Sequence, residues 1–207
     1  KEALSKALGL GIRNGINFKN IEISNDIYGK PFIKLKGTTY KYLKKKIKNN
    51  KYLIFVGSSM GSWIALNLFR FFKRQLKGFI GISSAPEFLE ELMWKKFDTK
   101  TKKTIMENKI YYLKHGNFTY PLTKQLILDG RKNKILNKKI KLKINIILFH
   151  GLKDEVVPLK MSKKILKIFN RSKKKLIKIK NGDHSLSRKS DLKKICKALN
   201  LIIPNRI

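Results

Sequence analysis

Short apolar runs alternate with stretches of helical periodicity over most of the chain after residue 51. A continuous apolar run is typical of a buried parallel strand, and Met60, Ile64, Leu68 and Phe72 recur at the spacing of one helix face. Strands that alternate with helices favour βαβ units and a parallel sheet. The predicted strands are Tyr52–Val56, Lys77–Ser83, Lys143–His150 and Lys174–Lys180.

The first 51 residues have a different pattern. Lys1–Leu8 has helical periodicity, and Thr38–Lys48 predicts a basic helix. Between them, Asn20–Ser24 and Pro31–Lys36 alternate as strands do, on either side of a loop composition that suits a hairpin. Residues 1–51 are therefore predicted to be a small α+β fragment that precedes an α/β region at 52–207.

The interval from Pro86 to Leu142 is too long for a simple crossover, so we interpret residues 86–142 as a helical cap insertion. Its predicted helices are Glu87–Phe97, Lys102–Glu107 and Pro121–Leu136. In the first of them, Phe88, Leu89, Leu92 and Met93 share one face. That face predicts either plain core packing or a wall for substrate, and we take Met93 and Trp94 as candidate substrate-binding residues.

Composition adds a strong positive charge, because 49 Lys and Arg against 13 Asp and Glu give a formal charge of +36. Such a balance raises nucleic acid or an anionic membrane as partners. The excess is mostly lysine and is spread through every segment, and no pattern of a nucleic-acid-binding motif accompanies it, so we expect no nucleic-acid partner. We also expect no membrane span, and the single Cys196 favours a reducing compartment, the cytoplasm.

The segment Gly57-Ser58-Ser59-Met60-Gly61 fits G-x-S-x-G between a predicted strand and a predicted helix. That pattern is typical of a nucleophile elbow, in which Ser59 is the nucleophile and the backbone N–H of Met60 faces the developing oxyanion. Gly57 and Gly61 would let the strand and the helix approach closely. The alternative is an ordinary turn between a strand and a helix.

A serine nucleophile needs a base and an acid that orients the base. Of the three histidines, His184 follows a predicted strand, and Asp154 lies just past the end of another. The order serine, aspartate, histidine is the one that α/β-hydrolases use. We set aside Glu155 as pointing elsewhere, His150 as packing at a strand end, and His115 as lying in a polar turn between helices.

From about residue 52 onward the chain resembles the α/β-hydrolase family, in the branch of mitochondrial palmitoyl-protein thioesterases. The segments that carry the resemblance are VGSSMGSWIAL, APEFLEELMW, LTKQLILDGR, HGLKDEVVP and NGDHSLSR. It implies cofactor-free hydrolysis of a small-molecule or acyl-protein ester or thioester, with Ser59 as nucleophile, Asp154 as orienter and His184 as base. One departure is Ser62, where that family usually has a second glycine after Gly61.

Residues 1 to about 51 instead resemble an internal piece of holo-acyl-carrier-protein synthase, a phosphopantetheinyl transferase. The resemblance implies that Glu2 binds Mg²⁺ and that Lys6 is an active-site lysine, with CoA as co-substrate. The strands that supply the second oxyanion donor in hydrolases are absent from this stretch, so we expect weak hydrolase activity from residues 1–207. The function hypotheses are thus a serine hydrolase, Mg-dependent phosphopantetheinyl transfer to an acyl carrier protein, and a non-catalytic basic binding protein; the oligomeric state is left open.

Overall fold

The computed structural model describes residues 18–25, 31–41, 52–115 and 118–203. The chain separates into two compact units, Lys1–Lys51 and Tyr52–Ile207. The predicted helix Lys1–Leu8, together with Glu2 and Lys6, lies outside the described residues, as does the predicted helix Thr38–Lys48 beyond residue 41.

In the first unit, strands β1 (Ile21–Asn25) and β2 (Pro31–Leu35) form an antiparallel pair with Ile21 opposite Leu35. A short 3-10 turn, Phe18–Asn20, precedes β1. The Lys36 N–H donates to the Asn20 carbonyl, and the Asn20 amide donates to the Thr38 hydroxyl at 3.0 Å. These contacts lie at the end of the strand pair that adjoins residues 37–41, which are helical. The strand pair itself is the one that the alternating residues of this region predict.

The second unit is built on a four-stranded parallel sheet within the described residues. Its strands are β3 (Leu53–Ser58), β4 (Leu76–Ile82), β7 (Asn145–Gly151) and β8 (Lys173–Ile179). They are hydrogen-bonded in the order β3-β4-β7-β8. Each lies within a few residues of a predicted strand. The central strands β4 and β7 are rich in apolar residues and largely buried, whereas the edge strand β8 begins with three exposed lysines. The parallel sheet is therefore confirmed.

Helices cover both faces of this sheet. Alternate residues of the central strands point to opposite faces, so Phe79 and Leu148 pack on one side and Ile80 and Phe149 on the other. Helices α1 (Met60–Leu68) and α4 (Lys160–Ile168) bury apolar side chains against the first face. Helix α5 (Lys189–Ile202) packs Ala198 and Ile202 against the second.

The insertion between β4 and β7 is only partly helical, which corrects the prediction for residues 86–142. The segment predicted as one helix is a π turn, Leu89–Met93, followed by a 3-10 turn, Trp94–Lys96. The remaining elements are α2 (Thr99–Asn108), β5 (Ile110–His115), β6 (Phe118–Thr123) and α3 (Lys124–Lys132).

Strands β5 and β6 form an antiparallel pair where helices were predicted. Tyr111 and Leu113 are half-buried while Tyr112 and Lys114 are exposed, a period of two that sets strands apart from helices. The predicted helix from Pro121 therefore begins later, after the Thr123 hydroxyl caps α3 by accepting from the Leu126 N–H. His115 ends β5 rather than lying in a turn between helices.

No helix in the described ranges is long and apolar enough to cross a membrane.

Candidate active site

Ser59 lies at the sharp turn between β3 and α1, and its backbone is strained. Its φ of 48° and ψ of −120° fall in a region that side-chain-bearing residues avoid. Two hydrogen bonds hold this conformation: the Ser59 N–H donates to the Ile82 carbonyl at 2.8 Å, and the Ala85 N–H donates to the Ser59 carbonyl at 3.2 Å. The elbow is thus fixed by the strand next to it.

The two glycines of the elbow differ in what they do. A Cβ on Gly57 would lie 2.7 Å from the Gly61 carbonyl oxygen and from the Ser62 Cα, so the strand and helix approach as closely as predicted. A Cβ on Gly61 would meet nothing within 4 Å. The expectation that Gly61 also permits this approach is wrong, because the position that its side chain would occupy faces open space.

Two buried serines behind the elbow are missed by sequence reasoning. The Ser62 hydroxyl donates to the Gly57 carbonyl at 2.6 Å, and the Ser84 hydroxyl donates to the Ser62 oxygen at 2.8 Å. Ser62 is the residue that departs from the usual glycine, and its hydroxyl ties the first turn of α1 back to β3. The apolar sequence around it carries no signal of this pair, since Ser84 is 22 residues away.

Ser59, His184 and Asp154 come together at the carboxyl ends of β3, β8 and β7. His184 Nε2 lies 3.1 Å from Ser59 Oγ, and His184 Nδ1 lies 2.9 Å from Asp154 Oδ2. A carboxylate only accepts hydrogen bonds, so Nδ1 carries the proton and Nε2 is free to accept from the serine hydroxyl. Glu155 is exposed, and the acid in contact with His184 is Asp154.

The Asp154 carboxylate is held by the backbone of its own loop. Oδ1 accepts from the Val156 N–H at 3.0 Å and from the Val157 N–H at 2.8 Å. Burial alone would raise the pKa of Asp154, but the hydrogen bond from Val157 and then the hydrogen bond and charge of His184 outweigh burial, so the pKa lies below its ordinary value. Asp154 is therefore ionised at neutral pH.

The loops that carry Asp154 and His184 are joined to each other. The Lys153 N–H donates to the Gly182 carbonyl at 2.8 Å, two residues before His184. On the other side of His184, the Leu186 N–H donates to the Asp183 carboxylate at 2.9 Å, and the Leu186 side chain is buried. His184 thus lies on a braced turn and stays half-buried.

Met60 is the first residue of α1, directly after Ser59. Backbone N–H groups in the first turn of a helix have no partner within that helix, and the helix dipole makes this end favourable for negative charge. The Met60 side chain is half-exposed. The Met60 N–H is therefore a suitable donor to an oxyanion that forms at Ser59.

Met93 and Trp94, the candidate substrate-binding residues, are half-buried and pack against the main core cluster. The Arg131 guanidinium lies over the Trp94 ring at 4.7 Å and also binds the Glu90 carboxylate at 2.8 Å. These contacts match the core alternative of the sequence analysis, and the substrate role of the two residues stays a prediction.

Known proteins with the same architecture align with this part of the chain. A protein from Agrobacterium vitis S4, assigned as a hydrolase, superposes with a TM-score of 0.71 and 26% identity, covering 81% of this chain and 67% of its own. From Tyr52 onward, the chain has the α/β-hydrolase fold. The predicted fold class is thereby confirmed. The α/β hydrolase domain-containing protein 10 of mouse has the same fold, with a TM-score of 0.66 and 22% identity over 84% of this chain and 78% of its own.

Sequence comparison finds the same α/β-hydrolase branch. Mitochondrial palmitoyl-protein thioesterase ABHD10 of Mus musculus is 28% identical over 144 residues, which are 67% of this chain and 48% of the mouse protein. The chain therefore spans about half the length of this curated relative. The resemblance inferred from the motifs is confirmed.

The N-terminal region matches a different family, as its sequence indicates. Residues 1–76 match the model of the 4'-phosphopantetheinyl transferase superfamily. The holo-[acyl-carrier-protein] synthase of Pelagibacter ubique is 41% identical over 59 residues, 28% of this chain and 46% of that protein. The family match extends past residue 51 and overlaps β3 and α1, which belong to the second unit, Tyr52–Ile207.

Proposed function

We propose that this protein is a serine hydrolase that cleaves a carboxylic ester or thioester through an acyl-enzyme on Ser59. The observation that carries the proposal is the hydrogen-bonded series from Ser59 through His184 to Asp154. Relatives named as hydrolase and palmitoyl-protein thioesterase support the same class of reaction. A small-molecule or acyl-protein substrate fits this class.

In the proposed reaction, Ser59 Oγ attacks the acyl carbonyl carbon while His184 Nε2 takes the hydroxyl proton. The negative charge of Asp154 stabilises the imidazolium, and the Met60 N–H donates to the oxyanion. Collapse of this intermediate breaks the C–O or C–S bond, and His184 returns the proton to the leaving group. Water then attacks the acyl-enzyme with His184 as base, which releases the acid and restores Ser59. No cofactor takes part in these steps.

A fluorophosphonate probe tests the nucleophile. We expect the wild-type chain to be labelled, Ser59→Ala to lose labelling, and the adjacent Ser58→Ala to keep it. In a complete site, loss of the nucleophile should cost on the order of 10⁶-fold in kcat, measured as turnover of p-nitrophenyl esters and acyl thioesters. Equal labelling of both variants would contradict the assignment of Ser59.

A second candidate function is transfer of phosphopantetheine from CoA to an acyl carrier protein with Mg²⁺. The match of residues 1–76 to the transferase superfamily favours it. Under this proposal Glu2 would bind Mg²⁺ and Lys6 would act in the same site. The test is to incubate the chain with CoA, Mg²⁺ and apo acyl carrier protein and to measure the mass of the carrier. Modification that Glu2→Gln abolishes and Ser59→Ala leaves intact would support it, and an unmodified carrier would refute it.

A further inference from the structure

His150 is a buried histidine that the proposed reaction does not use directly. It lies in β7, four residues before Asp154, and only 1% of its surface is exposed. Both ring nitrogens are nevertheless hydrogen-bonded, Nδ1 with the Ser162 hydroxyl at 2.8 Å and Nε2 with the Val157 carbonyl at 3.0 Å. A buried imidazole with two partners is fixed in orientation.

The partners also determine which nitrogen carries the proton. The Val157 carbonyl can only accept, so His150 Nε2 is protonated, and the Ser162 hydroxyl then donates to Nδ1. Burial lowers the pKa of His150 and so favours this neutral form. The Val157 hydrogen bond and the Asp154 charge act in the opposite direction but do not outweigh burial. The ring thus joins β7 to α4 through Ser162 and to the acid loop through Val157.

Val157 is the residue through which His150 reaches the candidate active site. Its carbonyl accepts from His150 while its N–H donates to Asp154 Oδ1 at 2.8 Å. Its side chain is buried with Ala85 and Met161. His150 Nε2 is itself 3.9 Å from Asp154 Oδ2, so the dipole of its N–H also favours the carboxylate.

We propose that His150 is a positioning residue for the Ser59–His184–Asp154 series, which holds the Asp154 carboxylate through the backbone of Val157. The inference rests on the proposed function and names a role that the reaction steps do not contain. Without the Nε2–H donor, the Val157 backbone loses its fixed position and the carboxylate can turn away from His184. The expected defect is in kcat, since no substrate contact is removed.

Two amide substitutions distinguish the roles of the two ring nitrogens of His150. A glutamine places its amide nitrogen near the position of Nε2 and can still donate to the Val157 carbonyl, whereas the shorter asparagine reaches only the Nδ1 position. We expect His150→Asn to lower kcat by about tenfold to a hundredfold and to leave KM within about twofold.

His150→Gln should recover most of the lost kcat. A general loss of structure would not lower kcat at unchanged KM in one amide variant and restore it in the other. Ser172→Ala is the control for the loss of a partly buried hydrogen bond, because the Ser172 hydroxyl donates to the Leu142 carbonyl at 2.7 Å next to the start of β8, at the opposite edge of the sheet from Ser59.

The outcomes distinguish this inference from the proposed function. If the wild-type chain neither reacts with fluorophosphonate nor turns over esters or thioesters, the proposed function fails and the inference with it. If the wild type is active but the asparagine and glutamine variants share one kcat, only the positioning role is refuted.

If His150→Asn does not fold, Ser162→Ala gives the same comparison in a milder form, since it frees Nδ1 and lets the ring turn. We then expect a lower kcat than that of Ser172→Ala, at an unchanged KM. Equal kcat values for the two serine variants would overturn the proposal.

Discussion

The strained backbone of Ser59 is the feature on which the candidate active site depends. A residue with a side chain at φ 48° costs about 1–3 kcal/mol, which the surrounding structure must supply. Here the hydrogen bonds to Ile82 and Ala85 and the buried hydroxyls of Ser62 and Ser84 hold the turn from the sheet side. The strain raises Ser59 Oγ above the sheet, where His184 can reach it.

The elbow glycines allow a test of this account with two matched substitutions. Gly57→Ala would force a Cβ to 2.7 Å from backbone atoms of Gly61 and Ser62, so we expect it to lower the free energy of unfolding by about 2–4 kcal/mol and to abolish labelling of Ser59. Gly61→Ala meets open space and adds a better helix former, so its stability should be unchanged or up to about 1 kcal/mol higher.

The measurement is urea unfolding followed by tryptophan fluorescence, because both tryptophans, Trp63 and Trp94, belong to the unit Tyr52–Ile207. Equal losses of stability in the two variants would mean that the elbow glycines act in the same way and that the distinction drawn between them is wrong.

At the scale of elements, His150 couples β7 to α4 and makes this part of the fold sensitive to pH. Its pKa in the folded protein lies below the ordinary value of 6.5, through burial and the nearby charge of His184, against the effects of Val157 and Asp154. Below pH 6.5 the unfolded chain therefore binds a proton that the folded chain does not. The contribution of His150 is complete above that pH and is lost as pH falls through the folded pKa.

We accordingly expect the free energy of unfolding to fall from pH 6.5 towards pH 5, with a slope from this group of at most about 1.4 kcal/mol per pH unit. In His150→Gln, which does not titrate, that part of the slope should vanish. Asp154 does not contribute in this range, because its lowered pKa places its own loss of stability below 3.8. Parallel pH profiles for wild type and variant would contradict the prediction.

The insertion between β4 and β7 contains the two candidate substrate-binding residues. Met93 and Trp94 lie on the turns that follow β4, and we expect Trp94→Ala or Met93→Ala to change the ratio of kcat/KM for long and short acyl esters. Leu89→Ala is the control, since Leu89 is fully buried in the same segment and should lose stability without changing that ratio. A large fall in melting temperature with an unchanged ratio in Trp94→Ala and Met93→Ala would make both core residues only.

The sequence alone predicts those parts of the fold that are encoded locally. Runs rich in apolar residues predict β3, β4 and β7, and the glycine-framed Ser59 and the strand-end positions of Asp154 and His184 predict which side chains meet. What it misses depends on packing between distant residues: Ser84 reaching Ser62, Ser162 reaching His150, and the pairing of β5 with β6. In the insertion, the six residues of β5 show a period of two, but so short a segment can also be interpreted as a helix. Pairing with β6, which the sequence does not show, decides for the strand.

Across the whole molecule, the formal charge of +36 opposes folding. Charges of one sign are closer together in the folded protein than in the unfolded chain, so their mutual repulsion destabilises the compact state. Salt screens this repulsion, with a screening length of about 10 Å at 0.1 M. Salt also weakens local ion pairs such as Lys164–Glu91 and the partly buried Arg131–Glu90, but ion pairs near the surface contribute little, and positive residues outnumber negative ones 49 to 13.

We therefore expect added salt to stabilise this protein at neutral pH, with the free energy of unfolding higher by about 1–2 kcal/mol, or the melting temperature by about 2–8 °C, at high ionic strength. The measurement is thermal unfolding followed by tryptophan fluorescence from about 0.02 to 0.3 M NaCl, a range over which screening increases strongly. KCl at equal ionic strength is the control, because screening depends on ionic strength and not on which monovalent cation is present. A melting temperature that stays constant or falls with salt would show that local ion pairs, and not the net charge, dominate the electrostatic free energy of folding.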